Sequence, residues 1–447
     1  MPRARSRSSR SKKKATADVG EKVSDSMVSG LKPCDRWIGN VDVLALEKDF
    51  SALGRELAKQ QGPADVAHLN KIILWSQLLS VAGLLSMVLS PSYVFPALLL
   101  STATFIRWTC IGHHVCHGGY NNCVPKGSRF DRFKFAVGSA FRRLRDWPDW
   151  MLPEAWNFEH NHLHHYALNE DVDPDLVEQN LENLRDVNIP LILKYVFTVF
   201  NAMTWKWFYY SSNTYASLKA HEDKPGQHAP MTTLINMYFS CKLPKYISKI
   251  EFTIRVLLPY LLYQFVLLPL PLFLGAMVAS KRGHDEWSEW LLNAHWNATM
   301  NMLLSDVITN VHSFIVIVTN HAGEDMYRWR THAMPLSGAF YIRAIVSSAN
   351  YSAGNDYIDV MHGWLNYQAE HHCFPKLSML SYQKAMPRVK ELAKKHGVPY
   401  TQENVFVRLK KTVDSMCGTT TMREVPLVYE ERLNITNSKT KSKQKKK

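Results

Sequence analysis

The sequence lacks the cysteine pattern of a disulfide-stapled or zinc-finger protein. Its 447 residues contain seven cysteines, an odd number, and no two of them have C-x-x-C spacing. This pattern predicts neither a disulfide framework nor a zinc finger. Cys116 and Cys373 lie inside histidine-rich segments, and we interpret each as a small, partly buried thiol rather than a metal ligand.

The sequence also lacks a secretory signal and any recognised nucleic-acid-binding module. The basic N-terminus, MPRARSRSSRSKKK, is not followed by the short apolar core of a cleaved signal. The C-terminus, KTKSKQKKK, is basic as well, and the formal net charge is +14. Such runs are typical of solvated tails, so we expect no nucleic-acid partner. Lys443 and Lys445 resemble the K-x-K-x-x retrieval signal of endoplasmic-reticulum membrane proteins.

Long apolar runs are confined to two blocks, residues 71–110 and 252–319. The blocks predict spans over 71–89 and 94–110, a third from about 253, and a fourth over 298–318, with the polar link SKRGHDEWSEW before the fourth. The expected fold class is an all-α integral membrane protein, with four transmembrane helices in two hairpins and a cytosolic helical cap. Basic ends beside such spans favour cytosolic termini.

The predicted organisation has four segments. Residues 1–35 form a disordered basic tail, 36–70 a cytosolic amphipathic helical segment, 71–400 the catalytic membrane domain, and 401–447 a cytosolic tail. The apolar, aromatic segment that begins at Asn188 is interrupted by Lys194 and Lys206. It predicts a helix lying at the lipid headgroups, and a further true span is the alternative.

Histidine is plentiful, with 19 residues, ten of them in four short segments. The segments are His113-His114-Val-Cys-His117, His160-Asn-His162-Leu-His164-His165, Asn320-His321, and Gln368-Ala-Glu-His371-His372. Helical spacing of i and i+4 predicts that each longer segment directs its rings to one point. The two predicted hairpins place residues 111–250 and 319–447, and therefore all four segments, on one side of the membrane.

The number of imidazoles predicts two metal ions rather than one. A single zinc site needs only three or four ligands, and neutral imidazole suits iron, zinc and copper. Two irons can supply electrons to reduce dioxygen to an oxidant that removes hydrogen from an unactivated methylene. No E-x-x-H motif lies in a predicted span, so the pattern differs from that of the carboxylate-rich di-iron bundles.

The motifs H-x-x-x-H, H-N-x-x-H-H and Q-x-x-H-H resemble the three histidine boxes of the membrane fatty acid desaturases. The segment GWLNYQAEHHCFPKL and the run LHHYALNEDVDPDL are similar to the front-end desaturases, and the resemblance covers residues 71–400. It implies two iron ions, O2 as co-substrate and a fatty-acyl substrate. The implied metal ligands are His113, His117, His160, His164, His165, His321, His371 and His372.

Gln368 stands where other desaturases have the first histidine of the third box, and we predict that it belongs to the active site. Its amide oxygen would ligate weakly or hold a water on the metal. His114 stands where the front-end group usually has Asp, which leaves a ring-orienting role or an additional ligand. His162 is expected to point away from the metals. His312, inside the fourth predicted span, is either a functional group or a hydrogen-bonded helix contact.

Front-end desaturases usually carry a fused cytochrome b5 domain with an H-P-G-G motif, which these 447 residues lack. The resemblance therefore implies electrons from a separate cytochrome b5 and its NADH-dependent reductase. Lipid hydroxylases and related monooxygenases share the same boxes and form the alternative function. A zinc hydrolase or a metal transporter fits the pattern less well. The sequence leaves open whether coenzyme A or a glycerolipid carries the acyl chain.

Overall fold

A computed structural model describes residues 31–89, 93–147 and 149–434. Most of the expected N-terminal tail, the tip of the first predicted hairpin and the C-terminal lysines lie outside these residues. The described part is mostly helical, as predicted. Its strands are two residues long and form two parallel pairs: Tyr327–Arg328 with Arg423–Glu424, and Ala349–Asn350 with Thr401–Gln402.

Four described helices are long and apolar enough to cross a membrane, which confirms the predicted number. They are named here span 1 (Pro63–Leu89), span 2 (Val94–Cys116), span 3 (Lys249–Lys281) and span 4 (Asp285–Asn320). Spans 1 and 2 pack against each other, spans 3 and 4 do the same, and span 4 also packs on span 2. Small polar residues lie at these contacts: Ser76 Oγ donates to Ala103 O at 3.0 Å, and Thr309 Oγ1 contacts Ser101 Oγ at 3.0 Å.

The predicted span boundaries were too narrow. Span 1 begins eight residues earlier, with a proline at its first helical position, where the missing N–H is not needed. Span 4 begins at Asp285, so the expected polar link is largely helical. Asp285 and Glu286 occupy its first turn, where carboxylates interact favourably with the helix dipole. Span 2 runs on to Cys116 and therefore carries His113 and His114 into the site.

The segment from Asn188 forms the helix Leu191–Trp205, followed by the π-helical turn Lys206–Tyr210 and the helix Ser211–Asp223. Its exposed side chains are apolar, among them Ile192, Val196 and Val199. Lys194 is buried and donates to two carbonyl oxygens, those of Arg185 and Cys417, at 2.6 and 3.2 Å. The lysine that interrupts the apolar pattern therefore points into the protein.

The remaining described helices are shorter than the spans and include three that contain residues of the histidine segments. They are Pro33–Asn40, Val43–Gln60, Ala140–Asp146, Pro153–Phe158, Glu159–Leu163, His164–Tyr166, Val177–Asn180, Glu182–Asp186, Leu234–Phe239, Gly338–Val346, Asp356–Met361, Leu365–Tyr367, Gln368–Cys373, Met379–Lys395 and Val405–Met416. Leu46, Phe50 and Leu57 of the second helix belong to the main buried core.

Residues 401–434 are joined to this helical body. Besides the two strand pairs, the buried Arg408 donates to Ala322 O at 2.6 Å and pairs with Asp325 at 2.6 Å. Ala322 follows His321, so the helix Val405–Met416 holds the backbone next to a predicted ligand.

Candidate metal centre

Five histidines form one buried group, which we call the five-histidine group. Its members are His113, His117, His160, His165 and His371, and one ligand nitrogen of each lies within 4.8 Å of all the others. The Nε2 atoms of His113 and His371 are 2.8 Å apart, and those of His113 and His160 are 3.3 Å apart. One ion about 2 Å from each nitrogen would fit this spacing.

Three more histidines, His164, His321 and His372, form a second buried group, the three-histidine group. Gln368 adjoins it, with Nε2 2.8 Å from His321 Nε2 and 3.2 Å from His372 Nε2. The side-chain amide oxygen of Gln368, Oε1, is buried and has no hydrogen-bond partner among the described residues. The structure therefore places Gln368 beside the second group, as a fourth polar side chain.

The expectation that each longer segment directs its rings to one point is confirmed for His113 and His117 but is wrong for the second and fourth segments. His164 and His165 are adjacent in sequence but belong to different groups, and so do His371 and His372. The second segment is not a regular α-helix: Glu159–Leu163 is a π-helical turn and His164–Tyr166 a 3-10 turn. The ring centroids of His371 and His372 are 5.6 Å apart, so the two groups are immediate neighbours.

Several rings are oriented through their Nδ1 atoms. His164 Nδ1 lies 3.0 Å from Asp173 Oδ1, and His321 Nδ1 lies 2.9 Å from Ser347 O. Tyr382 OH donates to Phe374 O at 2.9 Å and accepts from His371 Nδ1 at 3.0 Å. Such contacts fix the tautomer that leaves Nε2 free for a metal. Sequence reasoning missed Ser347 and Tyr382, which carry no motif, whereas Asp173 lies in the quoted Asp-Pro-Asp run.

Burial and neighbouring imidazoles keep most of these histidines neutral. Burial, with a smaller contribution from His164, lowers the pKa of His321 to about 3. The pKa values of His165, His371 and His372 are lowered well below the ordinary range, first by burial and then by adjacent rings. For His164, burial acts to lower the pKa, but Asp173 and Asp175 outweigh it and raise the pKa. Neutral imidazole is the form that binds metals.

The donor set fits a bound metal. His117 Nε2 and both ring nitrogens of His165 are buried without a hydrogen-bond partner among the described residues. Buried polar atoms are ordinarily paired, so these nitrogens indicate a missing partner inside the cluster. Eight imidazoles in two adjoining groups suit two ions.

The remaining histidines and thiols have other surroundings. His114 lies outside both groups, its Nδ1 contacts Cys110 O at 2.7 Å, and its ring stacks on that of His113 with centroids 4.9 Å apart, a contact that suits the ring-orienting interpretation. His162 is exposed and stacks on Phe158, away from the groups. His312 Nε2 contacts Met361 O at 2.7 Å, which matches the helix-contact alternative. Cys116 and Cys373 are free, buried and outside both groups.

A largely apolar cavity of about 300 Å³ reaches the histidines. Its wall includes His113 and His160 of the first group, His164 and His321 of the second, and Gln368. Much of the rest is aromatic or aliphatic: Val177, Leu181, Leu184, Phe197, Phe200, Trp205, Phe208, Tyr209, Tyr210, Phe314, Ile317, Val318 and Leu365. The lining suits a hydrocarbon chain next to the histidines.

Comparison with known proteins finds similarity to fatty acid desaturases. The sequence model of the fatty acid desaturase family matches residues 89–404. An NADPH-dependent stearoyl-CoA 9-desaturase of Mycobacterium tuberculosis is 23% identical over 381 residues, covering 83% of this chain and 79% of the relative. An acyl-lipid (9-3)-desaturase of Physcomitrium patens is 28% identical over 27% of this chain and 22% of its own length. A Delta(5) fatty acid desaturase of Caenorhabditis elegans is 30% identical over 26% of this chain and 28% of its own. No solved structure matches significantly.

Proposed function

The chain belongs to the fatty acid desaturase family, and on that premise we propose that it is an oxygen-dependent fatty-acyl desaturase that introduces a double bond into a lipid acyl chain. The observation that carries the proposal is the meeting of two buried histidine groups with an apolar cavity. A metal site without such a cavity would suit many reactions. An apolar chamber that ends at the ligands suits oxidation of a hydrocarbon.

We propose that the five-histidine group holds one iron and the three-histidine group, with Gln368, holds the other. Bound there, a pair of irons supplies the oxidation of an unactivated methylene by dioxygen, which acid–base side chains cannot perform. The chain's own residues orient and shield the reactants. Asp173 and Tyr382 set ring tautomers, and the aromatic cavity wall excludes water from the acyl chain.

The four candidate spans and the family indicate a membrane protein. We propose further that they form two hairpins, with the helical cap, all histidine segments and both termini on the cytosolic side of the endoplasmic reticulum. The domain limits predicted from the sequence, with a catalytic domain over 71–400, stay part of this proposal. The sequon at Asn297 is then the one nearest the lumen, but it lies twelve residues inside span 4 and should stay unglycosylated. A glycan on Asn434 would contradict this topology.

We propose that electrons come from a separate cytochrome b5 and its NADH-dependent reductase. The basic chain suits an acidic carrier, because complementary charge accelerates encounter. Turnover by the purified enzyme with NADH and oxygen alone would contradict a separate carrier.

The proposed activity is tested by expression in a yeast strain that is fed fatty acids one at a time, followed by lipid analysis. We expect a new product two mass units lighter than its precursor acyl chain. Its absence from a matched strain that expresses His372→Ala would assign it to this site. A product sixteen mass units heavier would instead identify a hydroxylase.

A further inference from the structure

A row of three aromatic residues leads from the protein surface toward the three-histidine group. Trp37 is partly exposed, whereas Tyr327 and Trp329 are buried. The ring centroids of Trp37 and Tyr327 are 5.9 Å apart, and those of Tyr327 and Trp329 are 6.0 Å apart. Trp37 Nε1 also donates to Tyr327 OH at 3.1 Å. These are the separations of neighbouring rings in contact, so the row is continuous.

The inner end of the row is joined to His321 through one residue, Ser347. Trp329 Nε1 donates to Ser347 Oγ at 2.8 Å, and His321 Nδ1 donates to Ser347 O at 2.9 Å. A second link runs through the buried Asn169, whose Nδ2 donates to His321 O at 2.9 Å and to Tyr327 O at 3.1 Å. Short hydrogen bonds therefore connect the aromatic row to a member of the three-histidine group.

The middle residue of the row has a proton acceptor. Tyr327 OH donates to Asp35 Oδ1 at 2.5 Å, and Arg423 Nη1 lies 3.5 Å from the same carboxylate oxygen. Burial, with a smaller contribution from Asp35, raises the pKa of Tyr327 to about 12, so the phenol carries its proton in the resting protein. A phenol loses an electron most readily when its proton can leave at the same time. Asp35 is placed to receive that proton.

The inner residue of the row lies under a cation that is itself paired. The Arg343 guanidinium is 4.7 Å from the centroid of the Trp329 ring. An unpaired cation at this place would oppose the loss of an electron from the indole. Arg343 is, however, 2.8 Å from Glu170 and 3.9 Å from Glu430, and both carboxylates are buried beside it. Their charge offsets that of the guanidinium, so the surroundings of Trp329 permit electron loss.

The chemistry of the rings fixes the direction in which the row can pass electrons. Indole and phenol are among the most easily oxidised side chains, whereas biological reductants cannot add an electron to either ring. The row therefore serves an oxidant at the histidines. On the proposed function, such an oxidant remains there when dioxygen is activated without an acyl chain in the cavity. It would then attack oxidisable groups nearby, and Cys116 and Cys373 are each next in sequence to a predicted ligand.

We infer that Trp37, Tyr327 and Trp329 form a protective relay that discharges oxidising equivalents from the histidine groups when no acyl chain is bound; the inference rests on the proposed desaturase function. One electron leaves Trp329 for the oxidised site. Tyr327 reduces Trp329 while its phenolic proton passes to Asp35. Trp37 then reduces Tyr327, which takes its proton back. A soluble thiol returns the electron to Trp37 at the surface, releases its own proton and ends as half of a disulfide.

The test looks for a radical on Tyr327 in the full-length, iron-loaded enzyme. The enzyme receives its electron carrier, reductase, NADH and oxygen but no acyl chain, and is frozen during turnover for electron paramagnetic resonance. Ring-deuterated tyrosine, incorporated during expression, identifies a tyrosyl radical by its narrowed spectrum. We expect this signal in the unsubstituted enzyme, its loss in Tyr327→Phe, and its retention in Tyr215→Phe, the control, whose tyrosine is buried in a different core cluster. Iron content and desaturation of a supplied acyl chain should match in all three proteins.

A second pair of variants tests the surface end of the relay. With glutathione present, Trp37→Phe should keep the tyrosyl signal but prolong its lifetime, because the thiol no longer reaches the relay through an indole. Trp75→Phe, at another partly exposed tryptophan, is the control and should leave the lifetime unchanged. Equal lifetimes in Trp37→Phe and the unsubstituted enzyme would overturn the assignment of the surface end.

Two results distinguish failure of the relay from failure of the proposed function. An undiminished tyrosyl signal in Tyr327→Phe, or no protein radical in an enzyme that desaturates a supplied acyl chain, overturns the relay and leaves the desaturase proposal intact. An iron-loaded enzyme that neither desaturates any supplied chain nor forms the radical overturns both.

Discussion

The two histidine groups differ in composition although they are neighbours. The first has five imidazoles, whereas the second has three imidazoles and the amide of Gln368. The residues that orient the rings through Nδ1, called supporting residues below, differ as well. His164 of the second group contacts the carboxylate of Asp173, whereas His371 of the first group contacts the neutral hydroxyl of Tyr382. The second group therefore has fewer strong ligands and a charged support.

This difference indicates that the two metals depend to different degrees on their individual ligands. A metal with five imidazoles available has donors to spare, whereas a metal with three depends on each of them and on what orients them. Substitutions in the second group should consequently affect metal content more than equivalent substitutions in the first.

The largest effect is expected from comparing His372→Ala with His371→Ala. Loss of His372 leaves two imidazoles in the second group, so we expect the metal content to fall to about one per chain and product yield to fall more than about 100-fold. Loss of His371 leaves four imidazoles in the first group. That variant should keep both metals and lose about 100-fold in activity through altered geometry. Equal metal contents in the two purified variants would contradict the stronger dependence of the second metal on each of its ligands.

Gln368 gives the next largest effect. Gln368→Ala removes a buried polar side chain next to His321 and His372, and we expect turnover to fall about 10–100-fold, less than for His371→Ala, with both metals retained. Gln368→His supplies a fourth imidazole and should preserve metal binding while changing the rate or the product. Wild-type product yield from Gln368→Ala, at matched protein level, would remove Gln368 from the active site.

The sequence predicted which residues lie together better than how they are arranged. All eight predicted histidines lie in two adjoining buried groups, and Gln368 is buried beside the second. The division of His164 from His165 was not predictable from helical spacing, since it depends on a π turn followed by a 3-10 turn. Tyr382 reaches His371 from another helix, a contact that no local pattern signals.

The starts of the spans could partly have been predicted from the sequence, whereas the packing of the C-terminal segment could not. Pro63 and the acidic pair Asp285 and Glu286 are ordinary helix-start signals that the hydropathy pattern masked. By contrast, the contact of Arg408 with the carbonyl of Ala322 joins residues 86 positions apart. The helix Val405–Met416 has the basic sequence of a surface helix, and only tertiary packing shows that its Arg408 is buried.

A smaller effect on metal affinity is expected from substituting the supporting residues of the two groups, Asp173 and Tyr382. Asp173→Asn weakens a charged contact to His164, and we expect the affinity for the second metal to fall about 10-fold. Tyr382→Phe removes a neutral hydrogen bond from His371, which is worth about 1 kcal/mol, or roughly 5-fold in affinity. Asp171→Asn, at an exposed position paired with Arg328, is the control and should change neither. Chelator competition measures all three, and equal losses for Asp173→Asn and Tyr382→Phe would contradict the difference in support.

The smallest effect is expected on the thermal stability of the protein, through the ion pairs of Asp325 near His321. Burial acts to raise the pKa of Asp325, but Arg408 and Lys411 outweigh it and hold the pKa below its ordinary value of 3.8. A lowered carboxyl pKa stabilises the fold above the unfolded value, and the contribution is lost as pH falls from about 4 through the folded value. Asp325→Asn should therefore lower Tm by about 2–4 °C at pH 7, and this difference should shrink as the pH falls below about 4. A pH-independent difference would contradict the ion-pair explanation.

The most direct test of the account is metal analysis of the purified, active enzyme beside His372→Ala. We predict two iron ions per chain in the unsubstituted protein and one in the variant, because the variant retains the five-histidine group. A single zinc ion per chain in the active enzyme, or two irons retained after His372→Ala, would contradict a di-iron centre built from these two groups.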